Sequence, residues 1–357
     1  MEKTRIDKYL GTGSLTIVEA MQKIDLNARG ILFVVETNNK LIGVITDGDI
    51  RRAIIRTGDL NLQISNIMNR NPKLVLQEER GKAASLLQQY RIHAVAVTDV
   101  TGTIIDIVFD SDNKSDLSKN RRTVLPKVPV VIMAGGKGTR LYPYTKILPK
   151  ALIPIGDIPI VEHIMDRFRC FGIEQFYMTV NHKKNMIKSY LSEQNEDSII
   201  FVEEDKPLGT AGSLHLIRDK IGGPFFVTNC DILIQADYKD LYEYHLKAGN
   251  MVTIVSSLKN IKVPYGVIQF KENGGVLSLE EKPQLSYFIN TGLYVMNPVC
   301  IDFIPNDTFF HMTDLIDKLL QDGQKIGMYP VSEESFLDMG EWEELQRMEQ
   351  KLKQTLD

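Results

Sequence analysis

The sequence predicts an α/β fold: a mixed, mostly parallel sheet with helices on both faces, preceded by a smaller α+β module. Three patterns carry this reading. The first third of the chain repeats itself, a polar stretch follows, and beyond it short apolar runs alternate with helical periodicities around a glycine-rich turn.

The repeat comes first along the chain. Shifted by 63 residues, Leu32-Phe33-Val34-Val35 falls on Val95-Ala96-Val97-Thr98, and Leu41-Ile42-Gly43-Val44-Ile45 on Ile104-Ile105-Asp106-Ile107-Val108. Each copy reads as a short helix (residues 17–24 and 81–90), a strand, a turn rich in Asn, Gly or Asp, and a second strand. The segment Gly43-Val44-Ile45-Thr46-Asp47-Gly48-Asp49-Ile50-Arg51-Arg52 resembles a tandem CBS-domain pair. That resemblance implies a phosphate and ribose held by Thr46 and Asp49, an adenine or guanine nucleotide as regulatory ligand, and a homo-oligomer formed through the module. In the second copy Phe109 replaces Thr46 and Asp106 replaces Gly43, while Asp112 keeps its counterpart, so one nucleotide site is expected. Thr46 and Asp49 also suit the N-cap of a following helix.

The polar run Ser111 to Arg122 reads as a linker. The expected division is therefore a first CBS domain over residues 1–60, a second over 61–117, a linker over 118–127 and a larger domain over 128–357. In the last, apolar runs at 128–133, 176–180, 199–202 and 225–228 alternate with helical patterns such as Ile160, Val161, Ile164, Met165 and Phe168.

Composition narrows the class. With 43% hydrophobic and 25% charged residues and a net charge of -4, the chain is globular and carries no generalised nucleic-acid surface. Cys170, Cys230 and Cys300 lack disulfide or zinc spacing, which points to reduced thiols. The charged N-terminus lacks a signal-peptide core and no run is long enough for a membrane span, so a cytoplasmic protein is expected.

Directly after the first strand of the larger domain stands Ala134-Gly135-Gly136-Lys137-Gly138-Thr139-Arg140-Leu141. Glycines there let backbone N–H groups approach a polyphosphate, and no Walker Gly-Lys-Ser/Thr follows. In the next stretch, Pro143, Pro149 and Pro154 forbid a continuous helix, so an extended loop is expected to deliver Arg140 and Lys150 to the phosphates.

These motifs resemble the signature of the sugar-phosphate nucleotidyltransferases, Gly-Gly-x-Gly-Thr-Arg-Leu followed by Pro-Lys-x-x-x-Pro, with Ala151 where that family often has Pro. The resemblance implies a Rossmann-like domain that joins a nucleoside triphosphate to a sugar 1-phosphate and releases pyrophosphate. It implies nucleotide contacts from Ala134, Gly135, Gly136, Gly138, Thr139, Glu204, Gly209 and Thr210, and charge stabilisation by Arg140 and Lys150. It assigns the sugar phosphate to Gly266, Glu281, Lys282 and Asn290, and Mg²⁺ to Asp231 and Asp338. Two distant carboxylates suit Mg²⁺, which fills its other positions with phosphate oxygens and water. Glu204 points to GTP, because an ionised carboxylate matches the adjacent N1–H and amino donors of guanine. A simpler reading makes Glu203 and Glu204 solvated residues after a strand. A CBS pair ahead of such a domain is most similar to the glucosamine-1-phosphate guanylyltransferases of legionaminic-acid type, with mannose or heptose 1-phosphate as alternative acceptors. Two competing classes are a glycosyltransferase, whose Asp-x-Asp motif Asn229-Cys230-Asp231 does not supply, and a nucleotide sensor with a non-catalytic transferase-like domain.

Overall fold

A computed structural model of the chain describes residues 6–27, 29–110, 125, 127–193, 198–340 and 344–350. Asp112, Trp342 and most of the expected linker lie outside them. The chain forms two compact units, one of Met1–Asn120, Leu258–Phe288 and Ser332–Glu334, the other of Arg121–Ser257, Ile289–Val331 and Ser335–Asp357.

The first unit contains the repeat as two three-stranded sheets of the same design. In one, β1 (Leu10–Thr12) pairs parallel with β2 (Ile31–Val35), which pairs antiparallel with β3 (Leu41–Thr46). In the other, β4 (Leu74–Leu76), β5 (Ala94–Thr98) and β6 (Ile104–Phe109) repeat that order. Ile31 faces Thr46 and Ala94 faces Phe109, and each hairpin carries its irregularity at the same rung, Val34/Val35 and Val97/Thr98. Phe33, Val35, Ala94, Ala96, Ile107 and Phe109 share one core, so each copy buries an apolar face that it could not bury by itself. Helices α1 (Ile17–Asn27), α2 (Asp47–Thr57) and α3 (Ala83–Tyr90) accompany the sheets. The last begins two residues later than its pattern predicts, because Gln77–Lys82 forms a 3₁₀ segment ahead of it.

The second unit is built on a seven-stranded sheet. Its first four strands in chain order are β7 (Val130–Met133), β10 (Phe176–Val180), β11 (Ile199–Glu203) and β12 (Phe225–Asn229), with the short hairpin β8 (Pro154–Ile155) and β9 (Ile158–Pro159) in between. Then come β13 (Ile232–Ile234), β14 (Val252–Lys262), β17 (Gln284–Met296), β18 (Ile326–Val331) and β19 (Phe336–Asp338), while the exposed hairpin β15 (Val267–Phe270) and β16 (Val276–Glu280), between β14 and β17 in the chain, belongs to the first unit. The large sheet has the order β11-β10-β7-β12-β17-β14-β18. Its first four strands run parallel, and β17 joins β12 antiparallel.

All four β7 side chains are buried, Val130 and Ile132 in one core and Val131 and Met133 in the other. A strand covered on both faces therefore reads as an unbroken apolar run. Helices α4 (Ile160–Arg169), α5 (Lys184–Glu193) and α6 (Tyr238–Ala248) pack on the first core, and α7 (Met312–Gln321) on the second. Residues 344–350 are helical, and Leu345 and Met348 return to the first core. Among the described residues no helix is long and apolar enough to cross a membrane.

Candidate functional site

The parallel strands deliver the site residues at their C-terminal ends. After β7, Ala134 is buried and its N–H donates to Thr179 O at 2.9 Å. Gly138 adopts φ +65°, and a Cβ there would stand 2.9 Å from Thr145 Cγ2 and 3.2 Å from Lys150 Cβ. The Thr145 hydroxyl donates to Gly138 O at 2.7 Å, which locks the turn. Gly136 has open space around its Cα, and Thr139 and Arg140 are exposed, while Leu141 anchors the segment in the core.

The proline-rich stretch differs from the extended loop expected of it. Tyr144–Ile147 and Lys150–Leu152 form two separate turns, with Pro143 and Pro149 in front of each. A fixed φ suits the start of a helical turn, so the prolines open turns as well as preventing one long helix.

Lys150 pairs through Nζ with the Asp231 carboxylate, and both side chains are largely buried. β13 pairs antiparallel with β19, which sets Ile232 opposite Asp338, and Met339 N–H donates to Asp231 O at 2.9 Å. The Asp338 carboxyl is pushed above the usual aspartate range, by burial first and then by the charge of Asp231. A hydrogen bond from Gly340 N–H and the charges of Lys150 and Arg140 pull it back down. Arg140, Lys150 and Asp231 thus all act on the Asp338 carboxyl. Gly340 has no room for a side chain, since a Cβ would lie 2.9 Å from Asp338 Oδ2.

The two glutamates after β11 separate sharply. Glu203 is exposed, and its salt bridges with Lys184 and Lys188 hold its carboxyl down at about 2. Glu204 is 5% exposed, and burial raises its carboxyl above the usual range. Its Oε2 accepts Leu208 N–H at 3.1 Å, and its Oε1 lies 2.8 Å from where a Gly135 Cβ would stand. The solvated-residue reading therefore fits Glu203 and not Glu204, whose carboxylate lies between the glycine loop and the Leu208-Gly209 turn.

The Gly209–Gly212 turn has a partner that the sequence did not reveal. Ala211 and Gly212 donate their N–H groups to Phe310 O, Phe310 N–H donates to Leu208 O, and Met312 N–H donates to Thr210 Oγ1 at 2.9 Å. A Cβ on Gly209 would lie 2.6 Å from Phe310 O, and one on Gly212 2.6 Å from Thr308 O. These glycines admit the backbone of residues 308–310. The available signal was two glycines three residues apart on a turn, which implies close backbone approach without naming the visitor.

Asn290 lies on β17, where its amide donates to Tyr294 Oη at 2.7 Å and its Oδ1 accepts Gly292 N–H at 3.1 Å. Gly266, Glu281 and Lys282 belong to the first unit, at the open end of the β15–β16 hairpin. There Glu281 Oε2 sits 3.1 Å from where a Gly266 Cβ would stand, Lys282 N–H donates to Tyr265 O at 3.2 Å, and Lys282 Nζ lies 3.7 Å from Glu281 Oε1. Also in the first unit, Thr46 and Asp49 form a reciprocal capping box at the start of α2, with Arg52 on the second Asp49 oxygen.

A glycine loop at the C-terminal edge of a parallel sheet, flanked by an arginine, a lysine, the buried Asp231 and the half-buried Asp338, defines a nucleotide-handling α/β domain. The chain belongs to the nucleotidyl transferase family, whose pattern matches residues 129–355, and residues 12–56 match the CBS domain. It is 33% identical over 184 residues to mannose-1-phosphate guanylyltransferase 1 of Arabidopsis thaliana, covering 49% of this chain and 51% of that protein. Against UTP–glucose-1-phosphate uridylyltransferase of Synechocystis sp. it is 33% identical over 216 residues, covering 54% and 55%. The chain thus spans about half the length of the curated relatives it matches. Among solved structures, HddC from Yersinia pseudotuberculosis superposes with a TM-score of 0.51 at 27% identity, covering 63% of this chain and 99% of that one. Its complex with GMP-PN gives 0.51 at 26% identity, with 63% and 99% coverage.

Proposed function

We propose that the chain transfers a nucleotidyl group to a sugar 1-phosphate and releases pyrophosphate, with GTP as donor and glucosamine 1-phosphate as acceptor. The observation that carries this reading is the Lys150–Asp231 pair beside Asp338, set next to a glycine loop whose backbone faces open space at Gly136. A sugar-phosphate oxygen attacks the α-phosphorus in line as the bond to the departing pyrophosphate breaks. The nucleophile is already anionic, so the work is positioning and charge neutralisation rather than proton abstraction.

Arg140 and Lys150 supply positive charge to the α-phosphate and the leaving group, and Asp231 orients the Lys150 ammonium. Glycine loop residues 135–139 present backbone donors. For the sugar phosphate the family resemblance assigns Gly266, Glu281, Lys282 and Asn290. Asp231 and Asp338 fit Mg²⁺, being two carboxylates close enough to feel each other's charge, with Asp338 held above its ordinary range by burial first and then by Asp231. A divalent cation bound there would neutralise developing phosphate charge. Thr46 and Asp49 would hold a regulatory nucleotide, opening their capping box to do so.

Glu204 underlies the donor choice, supported by relatives named as mannose-1-phosphate guanylyltransferases and a neighbour studied with GMP-PN. Those relatives also make mannose 1-phosphate the first acceptor to compare. The test measures pyrophosphate release with GTP, UTP, dTTP and ATP against a panel of sugar 1-phosphates, for the wild type and Glu204→Gln. GTP preference is expected to fall by about 10²-fold or more in Glu204→Gln. It should also weaken in the wild type as pH falls, starting above the ordinary glutamate range, because the carboxyl is raised and protonation removes its acceptor role. A wild-type preference for a pyrimidine nucleotide, or an unchanged preference in Glu204→Gln, would overturn the donor assignment.

A further inference from the structure

The three residues after β10 touch three different loops of the proposed site. Asn181 Nδ2 donates to Glu204 O at 2.8 Å. His182 N–H reaches Gly135 O at 3.4 Å. Lys183 Nζ donates to Thr145 O at 3.0 Å, and Thr145, which is 1% exposed, passes the restraint on through its hydroxyl to Gly138 O. Lys183 itself adopts φ +54°, a left-handed conformation unusual for a residue with a side chain. Such a backbone state persists where surrounding contacts determine it, and it clusters at functional sites.

Each bond lands on the backbone of a segment with a distinct task. Glu204 O belongs to the residue whose carboxylate faces the base. Thr145 O belongs to the turn that fixes Gly138, and with it the phosphate side of the loop. We propose that Asn181 and Lys183 are positioning residues with separable duties: Asn181 holds the base-reading carboxylate in register, and Lys183 holds the phosphate-binding turn through Thr145. Neither needs to touch substrate. The inference rests on the nucleotidyl transfer reading above.

The separation is physical. Deleting the Asn181 amide frees Glu204 O, while Glu204 N–H still donates to Val180 O at 2.9 Å, and leaves the Thr145–Gly138 bond intact. Deleting the Lys183 ammonium frees Thr145 O and leaves Glu204 tied both to Asn181 and to Leu208. The first change disturbs discrimination between bases, and the second disturbs the rate for whichever base is bound.

The experiment compares kcat and KM for GTP and UTP in the full-length wild type, Asn181→Ala, Lys183→Met and Lys183→Arg, with thermal melting of each. Asn181→Ala is expected to lower the GTP-over-UTP ratio of kcat/KM by about tenfold with kcat for GTP within about twofold of wild type. Lys183→Met is expected to lower kcat by about tenfold on both nucleotides with the ratio unchanged, since small misplacement of a reacting group is expensive. Lys183→Arg, which keeps a donor, should recover most of that loss. Equal changes of kcat and ratio in both variants, tracking loss of melting temperature, would overturn the division of labour, as would wild-type kinetics in Lys183→Met. An active, guanine-preferring wild type with unsplit variants defeats this inference and spares the functional reading. A wild type that releases no pyrophosphate defeats both.

Discussion

Asp25 offers a quantitative test of the structure that is independent of catalysis. It lies in the last turn of α1, where its half-buried carboxyl faces Ser332 and the acids Glu334, Asp47 and Glu333 of the same unit. Asp47 is paired with Arg51 and Glu333 with Lys259, so the surrounding charge is partly compensated. Burial above all, with those neighbouring acids, raises the Asp25 carboxyl from 3.8 to about 7, against the hydrogen bond with Ser332. A raised carboxyl means that the folded chain keeps a proton the unfolded chain releases. Its stabilising contribution is therefore complete below about pH 3.8 and lost as pH rises through about 7. At about 1.4 kcal/mol per unit the ceiling is about 4 kcal/mol, and water reaching the half-buried group reduces this to about 2 kcal/mol. Asp25→Asn carries no charge at any pH and keeps the volume. It should melt about 5 °C above wild type at pH 8.5 and only about 2 °C above it at pH 5. Thermal melts of both proteins at the two pH values decide the matter. An equal shift at both, or a destabilised variant at pH 8.5, would refute the placement of this carboxyl among its neighbours.

Other outcomes follow from the site. Asp231→Asn and Asp338→Asn are each expected to reduce turnover by about 10²- to 10³-fold while far-UV circular dichroism stays unchanged. The acid limb of the wild-type rate profile should lie above the ordinary aspartate range, because the raised Asp338 carboxyl must ionise to act; a limb at or below that range would count against it. Gly138→Ala should cost about 2 kcal/mol in denaturant melts, from left-handed strain and the 2.9 Å approach to Thr145 Cγ2. Gly136→Ala, with open space around it, should leave stability within about 0.5 kcal/mol and still depress turnover where the triphosphate needs close backbone approach. Undiminished turnover in Gly136→Ala would remove that residue from the phosphate site.

How far the sequence foretold these features depends on the range of the interaction behind each. β10 occupies the run Phe176–Val180 that predicted it, because a strand covered on both faces is buried at every position and so mostly apolar, with Thr179 the exception. The glycine loop was legible for a similar reason, since close approach and positive φ restrict the residue type locally. Glu203 and Glu204 looked alike as letters, although strand alternation separates neighbours onto opposite faces, and the structure pairs one with lysines and buries the other. The visit of residues 308–312 to the Gly209–Gly212 turn left only the two glycines as a local trace, because the groups it bonds lie about a hundred residues apart. Asn181 and Lys183 were silent on the same ground: a polar residue after a strand looks like a loop residue until its acceptor is known.

The site is assembled by the sheet rather than by any one segment. β11, β10, β7 and β12 are parallel neighbours in that order, so their C-terminal ends line one edge about 4.8 Å apart. The residues that follow those ends are Glu204, Asn181 to Lys183, Ala134 to Gly138, and Cys230-Asp231. Positions spread over about a hundred residues thereby become adjacent, and Glu204, Asn181 to Lys183, the glycine loop and Asp231 fall in one row. Such an arrangement depends on strand register, because a shift of one residue turns every side chain to the opposite face. The join between β12 and β17 shows how register is held at the acid. Gly292, at φ +88°, leaves room for the Asn229 side chain to pack against it, and any Cβ there would collide with that amide. Asn229 is the last residue of β12, two before Asp231. The absence of a side chain on one strand thus helps fix where its neighbour ends, and with it where the Asp231 carboxylate meets Lys150.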